Sequence, residues 1–61
     1  MYTIVKDTLA NEYALLYKEK LKKVYETAMY TCKAAYKRYK IIKDVKTEEQ
    51  FFQYVTNNPL T

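Results

Sequence analysis

Apolar residues recur through the middle of the chain at helical spacing. Stepping about 100° per residue from Leu9, the positions Leu9, Ala10, Tyr13, Ala14, Tyr17, Leu21, Val24, Tyr25, Ala28, Thr31, Cys32, Ala35, Tyr39 and Ile42 fall within one arc of roughly 160°. No glycine or proline interrupts the chain from Tyr13 to Lys46. Asp7 and Thr8 are suitable N-caps, and Glu12 favours the positive end of a helix dipole. The pattern predicts an all-α fold in a single domain, residues 1–61, with one long amphipathic helix over about 8–43.

Two shorter segments flank it. Residues 1–6, Met-Tyr-Thr-Ile-Val-Lys, are partly β-branched and suit an extended N-terminus that either pairs as an edge strand or lies across a helix. At the other end, Thr47 followed by Gln50 has the spacing of a capping box, which predicts a short C-terminal helix over about 48–56. Its apolar side is Phe51, Phe52, Tyr54 and Val55, and Asn57-Asn58-Pro59 stops it.

A helix of such length has an apolar arc that nine residues of second helix cannot cover. The expected remedy is a second copy of the chain, giving a helical homodimer. Its interface would be Leu9, Tyr13, Tyr17, Leu21, Val24, Tyr25, Ala28, Cys32, Ala35, Tyr39 and Ile42. A monomeric helical hairpin would need a turn near Lys18–Lys23 or Thr31, where Gly, Pro, Asn and Asp are absent.

Charge sharpens this picture. The chain carries 11 basic and 7 acidic residues, for a net charge of +4. Ten of the basic residues and only three of the acidic ones lie between Tyr13 and Lys46. On the wheel, Lys18, Lys22, Lys33, Lys37 and Lys40 oppose the apolar arc, joined by Tyr30 and Tyr36. Lysines neutralise phosphates and tyrosines stack on bases, so this face is the predicted nucleic-acid contact, to RNA or DNA with weak sequence preference, and the protein a small regulator. Lysine outnumbers arginine ten to one, unlike readers that use arginine on guanine. The plainer account is a solvated face balanced by Glu19 and Glu26.

The alternative function is a protein–protein interaction module, such as a phage-type inhibitor or adaptor. It would use the basic, tyrosine-rich surface on an acidic or nucleic-acid-binding site of a partner. Leu15, Met29, Tyr30, Tyr36 and Ile41 project away from the arc, and Met29 with Tyr36 is placed to centre a partner site. Lys20 and Arg38 sit inside the arc's edge, either snorkelling to water or facing a carboxylate of the second chain.

Candidate chemistry is sparse. Histidine and glycine are absent, which removes the commonest proton shuttle and any Gly-rich phosphate loop. Cys32 is the only cysteine, and its place on the arc suits a small core hydrophobe. The reading is therefore no enzyme, no cofactor, no metal and no small-molecule substrate. The single cysteine and the charges in the first 17 residues predict a cytoplasmic chain without a signal peptide or membrane span.

Overall fold

In the computed structural model, which describes residues 1–60, the chain is a mixed α/β domain. In chain order the elements are β1 (Tyr2–Asp7), β2 (Glu12–Leu16), α1 (Glu19–Thr31), α2 (Lys33–Arg38), β3 (Tyr39–Val45) and α3 (Glu48–Asn57). The strands form one antiparallel sheet in the order β2-β1-β3.

The long helix over 8–43 does not form. β1 is the reason, because its Thr3, Ile4 and Val5 are consecutive and buried. Alternate residues of a strand face opposite ways, so burying three in a row requires cover on both faces and partners on both edges. β2 and β3 supply the edges, and the helices supply the cover. α1 lies over the face that carries Thr3, Asp44 and Tyr39, as the contacts Lys22–Asp44 and Tyr25–Tyr39 show. α3 lies over the other, where its Tyr54 meets Tyr13 and Lys43.

Three places break the expected helix, none of them with glycine or proline. Asp7 does accept backbone N–H bonds in the manner of an N-cap, from Leu9 and Ala10 at 3.1 Å each. The chain then turns back instead of continuing, with Asn11 in the left-handed region at φ 54°, a conformation asparagine tolerates well. The second break is Lys18, extended at φ −131° and ψ 142°. The third is Cys32, extended at φ −130° and ψ 116°, which ends α1 and opens α2. Past it, Tyr39-Lys40-Ile41-Ile42-Lys43-Asp44-Val45 pairs with β1, as its aromatic and β-branched residues favour. The register shifts there, from Ile4↔Lys43 to Val5↔Ile41, so Ile42 is the extra residue of a bulge.

The helical homodimer seam is dissolved by the same geometry. Leu9 is in the β1–β2 turn, 76 % exposed. Tyr13 is in β2 and packs edge-to-face on Tyr54, while Tyr17 packs on Tyr2. Tyr25 packs on Tyr39 at 5.0 Å between ring centres. Ala35 is half-buried in α2, Ile42 is the bulge, and Cys32 is exposed between two helices. Only Leu21, Val24, Tyr25 and Ala28 keep their helical spacing, within α1.

The short C-terminal helix forms with its capping box. Gln50 N–H donates to Thr47 Oγ1 at 3.3 Å, and Gln50 Oε1 accepts from the N–H groups of Thr47 and Lys46. The fully buried core is small, Ile4 and Val5 with Leu16 and Val45 beside them. The accessible surface of 4763 Å² exceeds the roughly 4,200 Å² typical of a monomer of this mass.

Candidate functional site

Two ion pairs bind the helical layer to the sheet and use four of the charged side chains. Arg38, the only arginine, donates from Nε to both Asp7 oxygens at 3.1 Å and from Nη2 to Oδ2 at 3.0 Å. Its guanidinium also lies over the Tyr39 ring. The carboxylate that Arg38 faces thus belongs to its own chain. Beside it, Thr8 N–H and Oγ1 both donate to the Arg38 carbonyl at 2.7 Å, so the hairpin tip satisfies the exposed end of α2.

The second pair is Lys22 with Asp44, Nζ to Oδ2 at 3.0 Å, and Asp44 also accepts from the buried Thr3 hydroxyl at 2.6 Å. These partners shift titration. Hydrogen bonds from Arg38, then the Ala10 N–H, hold the Asp7 carboxyl below the usual range. For Asp44 the Thr3 hydroxyl leads and Lys22 follows. Lys22 and Arg38 are raised in turn by the hydrogen bonds they donate to these carboxylates. Burial beside Tyr54 raises Tyr13, and the Glu48 charge raises Tyr17.

The expected lysine face is consequently not one surface, and it does not support the RNA- or DNA-binding dimer. Lys18 precedes α1, Lys22 is engaged by Asp44, Lys33 and Lys37 are one turn apart on α2, and Lys40 is in β3. Tyr30 on α1 and Tyr36 on α2 are exposed, at 92 % and 69 %. The wheel that aligned these residues assumed a helix running through Lys18, Cys32 and Tyr39, and all three are extended.

One grouping does hold. Met29, Tyr36 and Ile41, from α1, α2 and β3, line a single groove of about 480 Å³ with Tyr39, Lys40 and Ile42. The half-buried Met29, Ile41 and Ile42 form its floor, and the exposed Tyr36 and Lys40 stand at its rim. No carboxylate lines it. From Thr27 to Lys43 the chain has five basic residues and no acidic one, and among the described residues only Arg38 of these forms an ion pair. The Ile42 bulge and the return of β3 complete the groove, and residue spacing along the sequence gives no sign of either.

The second groove runs along α1, lined by Lys20, Lys23, Val24, Thr27, Ala28 and Thr31. Among the described residues, no group of three or more Cys, Asp or Glu side chains is placed to hold a metal ion. No helix among them is long and apolar enough to cross a membrane. No known protein family, curated protein or solved structure matches this chain.

Proposed function

We propose that this chain is a non-catalytic protein-binding domain that receives an apolar side chain of an acidic partner segment in the Met29–Tyr36–Ile41 groove. The observation that carries the reading is the coincidence of an apolar floor with a rim that carries Lys40 and no carboxylate. Methionine adapts its shape to an incoming side chain, and aromatic residues with methionine are enriched at interface cores. Lys40 at the rim, with Lys33 and Lys37 on the same helix as Tyr36, steers a negatively charged segment and disfavours a positive one. A cytoplasmic setting suits the exposed thiol of Cys32, which stays reduced there.

The test is an NMR titration with synthetic peptides in which one Leu or Phe is flanked by Asp and Glu. Shifts should concentrate on the Met29, Ile41 and Ile42 methyls and the Tyr36 ring. Replacing the peptide's apolar residue by serine should weaken binding on the order of tenfold, since burying such a side chain is worth roughly 1.5–3 kcal/mol. Binding that ignores this replacement, or that spreads over all exposed lysines, would refute the groove. A mixed-sequence nucleic acid that competes better than the peptide would refute the partner class.

A further inference from the structure

The two edges of the sheet are built differently. On β3 the edge carries Lys40, Lys43 and the Ile42 bulge, the devices that keep an open edge from pairing with another strand. β2, Glu12-Tyr13-Ala14-Leu15-Leu16, has no lysine, no proline and no bulge. Among the described residues its only strand partner is β1.

We infer that β2 is a pairing edge for a second copy of this chain, antiparallel and centred on Ala14. In that register Ala14 meets its own equivalent across a two-fold axis, and Tyr13 meets Leu15. Glu12 meets Leu16, so the two glutamates lie at opposite ends. The diagonal neighbour of Glu12 is then Lys18 of the other copy, within reach of long side chains at about 7–8 Å between backbones. Lys18 lies two residues past the end of β2, where the chain bends into α1, and among the described residues neither it nor Glu12 has a salt-bridge partner within its own chain. Glu12, Ala14 and Lys18 are all exposed.

The pairing gives one continuous sheet of two three-stranded halves, with β3 at both outer edges. It uses no part of a helical seam. Each Met29–Tyr36–Ile41 groove, on the β3 side, stays open at the far end of its half. If the groove binds as proposed, two grooves on one body gain from avidity toward a partner bearing two acidic segments. The edge pairing itself does not depend on that function.

Sedimentation equilibrium over a concentration series tests it with the wild type, Glu12→Lys, Lys18→Glu, the double exchange, and Ala14→Lys. The wild type should associate reversibly to twice the monomer mass. Each single charge reversal acts twice by symmetry and should weaken association roughly fivefold, and the double exchange should return it to within about twofold of the wild type. Ala14→Lys places like charges opposite each other at the axis and should abolish association, with its circular dichroism and melting curve unchanged as evidence of an intact fold. A wild type that stays monomeric at about 1 mM would overturn the proposal. So would association that persists through Ala14→Lys and both single reversals, which would place the contact elsewhere, such as α1.

Discussion

β1 and α1 divide the work of this small domain unequally. β1 is six residues long and buries three of them, Ile4 completely. α1 is more than twice as long and buries none. Its inner side touches the sheet through Lys22, Tyr25 and Met29, while Leu21 and Val24 on its outer side remain 41 % and 56 % exposed. Hydrophobicity along the chain therefore does not say where stability lies. A strand in the middle of a sheet spends each apolar residue on the core, and a helix laid over one face spends only a stripe.

The largest effect that tests this contrast is Ile4→Ala. It should cost about 2–5 kcal/mol, enough to abolish cooperative thermal unfolding in a domain with so small a core. An intermediate effect should follow from Thr47→Ala, which removes the cap of the helix covering one face of β1. The expected loss is about 1 kcal/mol by chemical denaturation.

A local effect should come with acid. Asp7 and Asp44 have carboxyls held below their ordinary value of 3.8, so the stabilisation they give is complete above that value and fades as pH falls through their lower native values. Because Asp44 ties Lys22 of α1 to the sheet, hydrogen exchange at falling pH should show α1 amides losing protection before those of β1. Simultaneous loss would mean that the two regions form one cooperative unit. The smallest effect belongs to Val24→Ser, which should change stability by less than about 0.5 kcal/mol. A cost near that of Ile4→Ala would break the contrast outright.

Local signals in the sequence were legible where they depend on a few neighbouring residues. Thr47 and Gln50 close a capping box as their spacing implies, and Asn58 ends α3 ahead of Pro59. Asp7 makes the backbone bonds of a cap, yet nothing in its neighbourhood distinguishes a turn that opens a helix from one that closes a hairpin. That choice is made by Ile4 and Val5, whose two faces need cover from residues far along the chain. Tyr39 and Ile42 satisfy helical spacing and also fit a bulged strand, so periodicity alone was ambiguous there. For the candidate site, the pairing of Met29 with Tyr36 was visible as apolar residues off the main arc. Ile42, Tyr39 and the groove's depth depend on the return of β3, and no spacing rule reaches that.

The register of the sheet has a consequence for the growing chain. Tyr2 pairs with Val45 and Asp7 with Tyr39, so one side of β1 waits for residues 32 to 43 positions later. At ribosomal rates of about 5–20 residues per second the wait lasts on the order of two to nine seconds. A helix completes its bonds within microseconds, so α1 can form while β1 is still half-paired. Every nascent copy therefore passes through an interval with its most deeply buried strand unshielded on one edge, and crowded synthesis is the condition under which this protein is most at risk of misassembly.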